Sequence, residues 1–203
     1  MLEADGAADG GIGSGRPLRA DAQRNSDLLV RTAKEVFAIS GVDAPMRVIA
    51  EKAGVGVGTA YRRFPQRSDL IAAVFRHEVD ACADAAPALL EQYEPGEALE
   101  RWIQRYVDFL VAKRGLASSL YSGGTAFQGL PAYFDSRFEP ALQSLLDAGV
   151  AAGILRDELR AFDLLRAVAN LCRLSGIEDL GQARRFAALL LDGLRYNAGK
   201  AGN

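Results

Sequence analysis

The sequence predicts an all-α fold. Leucine and alanine recur at helical spacing from about residue 21 onward, and no four-residue alternation of apolar and polar side chains bounded by turn signals stands out as a strand. The composition, 49% apolar and 25% charged, is that of a globular chain able to bury a real core. At roughly 150 residues per domain, 203 residues make one domain or two small ones.

About nine helices can be placed in order. Residues 1–20 begin with a run of Gly, Ala and Asp that holds almost no large apolar side chain, which predicts a disordered tail. The first helix is expected from Asp21 to Ser40, with Leu29, Ala33, Val36, Phe37 and Ser40 on one stripe and Gly41 closing it. Two short helices follow, Pro45 to Ala53 and Gly58 to Phe64, the second ended by Pro65. A longer one starts at Arg67, buries Leu70, Ile71, Val74, Phe75 and Val79, and runs until Pro87 interrupts it. Pro95 opens the next, which carries Leu99, Trp102, Ile103, Tyr106, Phe109 and Leu110 to Lys113. Between Gly115 and Phe134 the pattern fits one short helix and a glycine loop, and Pro131 and Pro140 bracket a turn before a helix from Ala141 to Ala152. Gly153 ends that helix, and the last two run from Ala161 to Ser175 and from Gln182 to Asn197.

Several function classes fall away on composition. The charge-free stretch from Gly115 to Phe134 is long enough to span a bilayer, but it is only half apolar and holds four glycines and a proline, so no membrane partner is expected. The first residues lack the basic and apolar regions of a secretory signal, which predicts a cytoplasmic protein. Cys82 and Cys172 have no CxxC partner and read as buried thiols. His77 is the only histidine, which removes multi-His zinc sites; no metal and no cofactor are expected. No GxSxG, HExxH or paired-carboxylate motif is present, and Ser119 and Ser122 lack a partner, so the chain is not read as an enzyme.

The net charge of −2 conceals an asymmetry. Residues 16–68 carry ten Lys or Arg against five acids, whereas the chain from Asp69 onward carries 14 bases against 18 acids. Such a segment suits a polyanion-facing module, with chance clustering on a solvated surface as the alternative that only a motif can decide. Within it, residues 45–64 read as a helix-turn-helix. Ala50 is the small residue where two steeply crossing helices touch, and Gly54, four residues later, is the turn position that tolerates a positive φ. Ile49, Ala53, Val55, Ala60 and Phe64 would form the shared core. Gly56 and Gly58 let the backbone approach a phosphate, and Tyr61, Arg62 and Arg63 project from the second helix toward a major groove. The glycines also resemble the start of a dinucleotide loop, but the third position of that fingerprint is Thr59 and a helix, not a strand, precedes it.

The run Ile49-Ala50-Glu51, Ala53-Gly54-Val55, Gly58-Thr59, Tyr61, Phe64-Pro65, Asp69-Leu70 resembles the amino-terminal signature of TetR-type transcriptional regulators, and Val36-Phe37-Ala38 followed by Gly41 extends the match upstream. The resemblance implies a DNA-binding head over residues 21–68 and a ligand-binding and dimerisation body over 69–203. It implies phosphate contacts from Thr59, Tyr61 and Arg67, and places Val57, Arg62 and Arg47 nearest the bases of an inverted-repeat operator. Arg63 and Arg67 stand where the family usually has His and Lys, each keeping a donor. Gln66 replaces a Ser cap, and Ala44-Pro45 stands where Thr is common.

In the body, Trp102, Tyr106, Phe109, Tyr121, Phe127, Tyr133, Phe134 and Phe138 concentrate the aromatic residues where charges are fewest, which fits either a plain core or a pocket for a small, mostly apolar ligand. The last two helices have wide apolar arcs. Leu164, Val168, Leu171, Phe186, Leu190 and Leu194 are the expected homodimer contacts, with Ala187 and Leu191 among the residues that widen them.

Overall fold

The computed structural model describes residues 15–114, 125–174 and 180–195. Among these it is all-helical: α1 (Gly15–Ser40), α2 (Met46–Lys52), α3 (Val57–Arg63), α4 (Arg67–Ala83), α5 (Ala85–Gln92), α6 (Pro95–Arg114), a 3-10 turn (Thr125–Phe127), α7 (Leu130–Ala151), α8 (Ala161–Leu174) and α9 (Leu180–Arg195). Two compact units result, Met1–Arg67 and Ser68–Asn203. The short helix expected after Gly115 lies mostly outside the described residues, as do most of the tail, Ser119, Tyr121 and Ser122.

The head is three helices around one small core. Leu29, Ala33, Val36 and Phe37 of α1 are buried as the stripe requires, against Ile49 and Ala50 of α2, Val55 and Ala60, with Phe64 beneath. Ser40 is exposed, so the stripe ends one turn earlier than expected. α1 begins at Gly15, six residues before the expected start, so the end of the predicted tail is helical. Gly41, at φ +76°, closes it, donating its N–H to the Phe37 carbonyl at 3.0 Å.

The body is organised on α6, which packs against α5, α7, α8 and α9. Leu99, Trp102, Ile103 and Val107 of α6 are fully buried. At the far end of α4 the Trp102 indole N–H donates to the Cys82 carbonyl at 2.9 Å, satisfying one of the carbonyls a helix terminus leaves open. Both cysteines are buried and neither forms a disulfide, and burial pushes the Cys82 thiol up to about 12. α9 is held to α6 at both ends. Arg184 forks onto the Asp108 carboxylate at 2.7 and 2.8 Å, and Arg195 donates to the Gly96 carbonyl at 3.0 Å.

Three prolines act differently from the sequence reading. Pro87 does not interrupt a long helix; α4 has already ended, and Pro87 sits in the first turn of α5, where a missing N–H costs nothing. Pro131 starts α7 rather than a turn. Pro140 lies inside that helix and on its exposed side, where it leaves one carbonyl without its helical donor. α7 is therefore one 22-residue helix, and Gly153 at φ +69° closes it.

Candidate DNA-binding head and ligand pocket

The turn of the head is set by Gly54 at φ +66°. The backbone crosses it with Gly54 N–H donating to the Glu51 carbonyl at 3.1 Å and Val55 N–H to the Ala50 carbonyl at 3.0 Å. Any other residue would hold that left-handed conformation at a cost of about 1–2 kcal/mol. Gly56 caps α3, so the helix begins at Val57, one residue before the expected start.

From this frame Arg47, Tyr61 and Arg62 extend outward, with Tyr61 52% exposed. Gly56 and Gly58 are also exposed, and Val57 and Thr59 are half-buried. The Arg62 guanidinium donates to the Thr59 hydroxyl at 3.2 Å, which lays its side chain along α3. Arg63 and Arg67 are engaged differently. Arg63 Nε donates to the hydroxyl of Ser26 at 3.0 Å; Ser26, on α1, is a buried polar residue that the sequence reading missed. Arg67 donates to the carbonyls of Val42 and Ala44, pinning the loop between α1 and α2. Both arginines thus fix the head internally, although both were expected only at the DNA.

The aromatic residues of the body divide into a core set and a cavity set. Trp102 is core, as is Phe127, which is 8% exposed. Tyr133 turns to α4, where its hydroxyl donates to Asp80 at 2.6 Å; Arg137 binds the same carboxylate at 2.8 Å and Asp84 at 2.6 Å. Tyr106, Phe109, Phe134 and Phe138 do line a cavity of about 230 Å³. Around it, Tyr106 meets Phe138 edge-on at 5.1 Å and Phe109 meets Phe134 edge-on at 5.7 Å. α8 supplies the remaining wall through Phe162, Leu165 and Ala169.

Three charged side chains also border this cavity, Lys113, Asp135 and Arg166. The charge-poor stretch that suggested a mostly apolar pocket ends just short of Lys113 and Asp135, and Arg166 lies far beyond it. Their position could not be read from that stretch, because two of them come from α6 and α8.

The dimer residues also need correction. Leu164 and Val168 are fully buried within the protomer and Leu194 is 9% exposed, so these three are core. Leu171, Phe186 and Leu190 are half-buried, and Leu189 is 68% exposed. Ala183, Ala187 and Leu191 form the buried arc of α9. Its outward apolar arc is Phe186, Leu189 and Leu190.

Two short helices joined through a left-handed glycine, the second of them exposed and basic, define a helix-turn-helix DNA-binding regulator. A family model described as bacterial regulatory proteins, tetR family, matches residues 29–74, and one described as transcriptional regulator SbtR-like, C-terminal domain, matches residues 94–196. The chain belongs to the TetR family of DNA-binding transcriptional regulators, a family of regulators rather than enzymes. The TetR transcriptional regulator SCO0520 of Streptomyces coelicolor is 40% identical in a match covering 84% of this chain and 98% of that one, with a TM-score of 0.70. An HTH-type transcriptional regulator of Staphylococcus aureus (strain USA300) is 26% identical over 108 residues, so the match spans 52% of this chain and 58% of that relative. RolR, whose structure holds resorcinol, shares the fold at 21% identity and a TM-score of 0.55, over 90% of this chain and 93% of that one. Among the described residues no helix is long and apolar enough to cross a membrane, and no cluster of His, Cys, Asp and Glu could hold a metal ion.

Proposed function

We propose that the protein is a repressor that binds an inverted-repeat operator as a homodimer and leaves it when a small, mostly apolar molecule occupies the cavity of the body. One observation carries the reading: α7, which presents Phe134 and Phe138 to the cavity, is bonded through Tyr133 and Arg137 to Asp80 and Asp84 at the end of α4. α4 starts at Arg67, the last residue of the head unit. A ligand that shifts α7 thus acts on the helix that leads to the DNA-binding residues. RolR's binding of resorcinol is compatible with a cavity of this kind. To release the operator the ligand must favour the DNA-incompetent arrangement, and a tenfold loss of affinity needs about 1.4 kcal/mol of coupling. Selection of bound duplexes from a random pool, followed by release with candidate compounds, tests the reading; recovery of no inverted repeat would sink it.

In the head, Arg62 is proposed to read a base, and Thr59 and Tyr61 to contact phosphate, with Arg47 and Val57 near the groove. Arg62→Ala is expected to cost about 1–3 kcal/mol in operator binding and to relax preference at one base pair, while Tyr61→Ala weakens all duplexes alike. Arg67→Ala is expected to lower the melting temperature of the head as well, since it frees two loop carbonyls. Binding titrations on operator and scrambled duplexes, beside thermal melts, separate these outcomes.

A further inference from the structure

The cavity among α6, α7 and α8 has an unbalanced electrostatic wall. Lys113 is half-buried, with its ammonium 4.5 Å from the centre of the Phe134 ring, and among the described residues no carboxylate lies within ion-pair distance of it. Arg166, which is exposed, rests its guanidinium 5.5 Å from the centre of the Phe162 ring, again with no carboxylate at ion-pair distance among the described residues. Elsewhere in the body Arg101, Arg137, Arg184 and Arg195 each bind a carboxylate. The two cavity cations lie instead on aromatic faces, which attract them more weakly than an anion would. Asp135 is the single acid on this wall, and it is exposed.

We infer that the cavity takes a single-ring aromatic acid, its ring held among Tyr106, Phe109, Phe134 and Phe138 and its carboxylate between Lys113 and Arg166. This rests on the proposed ligand-responsive function and adds the chemical class of the ligand. Size sets the ring count. A cavity of about 150 Å³ holds benzene, so about 230 Å³ leaves room for one ring with a short substituent. Geometry favours a ring over an alkyl chain, because the walls already meet edge to face and present both edges and faces to a further ring. Charge sets the head group. Two cations against one acid leave one positive charge, which suits a monoanion, and Asp135 opposes a second negative charge of the kind a phosphate monoester carries. Burial already lowers the pKa of Lys113, as desolvation of an ammonium must, and a bound carboxylate would raise it again.

The test uses the full-length protein and matched probes: benzoate, phenylacetate and salicylate, each beside its neutral amide. Binding is read from the fluorescence of Trp102, the only tryptophan, which stacks on Tyr106 at 5.7 Å, and from the melting temperature. At least one acid is expected to bind tenfold or more tightly than its amide. Lys113→Met is expected to remove that preference by weakening the acid far more than the amide, and Lys113→Arg to keep it. In the 13C spectrum of reductively methylated protein, the Lys113 signal should titrate at higher pH with the acid present. Equal binding of acid and amide, or an acid preference that survives Lys113→Met, overturns the carboxylate assignment and leaves the cavity as a neutral-ligand site. Failure of every acid and amide to bind overturns the assignment as well. Release of the operator by a bound acid is scored separately, so a compound that binds without releasing DNA counts against the regulatory reading alone.

Discussion

A Leu189→Asp variant is expected to be monomeric at micromolar concentration and to bind an inverted-repeat operator more than a hundredfold more weakly than the parent. Leu189 is the most exposed large apolar side chain of α9, at 68%, and Phe186 and Leu190 flank it half-buried on the same outward arc. A second copy covering this arc would bury the leucine, and an aspartate there would place an unpaired carboxylate in an apolar contact. Two linked heads gain roughly 10²–10⁴ in apparent affinity over one, so losing the dimer forfeits that factor while single half-sites are still bound. Leu191→Asp provides the contrast. Leu191 is 1% exposed within the protomer, so its replacement should unfold the body rather than yield a folded monomer. Sedimentation and operator titration check both. A wild-type monomer, or a Leu189→Asp dimer of unchanged affinity, would remove the proposed interface.

The choice between Leu189 and Leu191 shows where the sequence stops being informative. The apolar arc of α9, from Leu189 through Phe186, Leu190, Ala183 and Leu194 to Leu191, is wider than one contact needs, so its periodicity does not fix which part faces inward. The phase is set by Arg184 reaching Asp108 and Arg195 reaching Glu100, contacts made 76 and 95 positions away. The helix-turn-helix was legible because its determinants are local: Ala50, Gly54 and the apolar positions around them act within twenty residues. The internal bonds of Arg63 and Arg67 are not legible for the opposite reason. Their partners, Ser26 and the Val42 carbonyl, lie 37 and 25 residues away, and nothing in a basic residue near a recognition helix signals that its donors are already engaged. α5 was hidden because Pro87 reads as a breaker unless the helix start is known to lie two residues before it. The pocket was half legible: ring density marked its apolar wall, while Lys113, Asp135 and Arg166 converge on it only through tertiary packing.

Trp102→Ala is expected to cost about 3–5 kcal/mol of stability, the range for removing a large buried aromatic side chain. The indole is fully buried, stacks on Tyr106 at 14° and 5.7 Å, and meets Phe138 edge-on at 6.1 Å. Removing it leaves a void behind two cavity-lining rings and strips the Cys82 carbonyl of its donor. Domains are stable by only roughly 5–15 kcal/mol, so this one change takes a large share of the total. Trp102→Phe keeps one ring in the core while losing the indole N–H and part of the ring volume, and it should cost about 1–3 kcal/mol. Phe134→Ala supplies the comparison with a true cavity residue. Phe134 is half-exposed, so its loss should cost less stability than either tryptophan change while weakening ligand binding directly. Denaturant melts rank the three variants. A Trp102→Ala protein within 1 kcal/mol of the parent would mean that the indole faces the cavity, and that the ligand site extends one layer deeper than Tyr106.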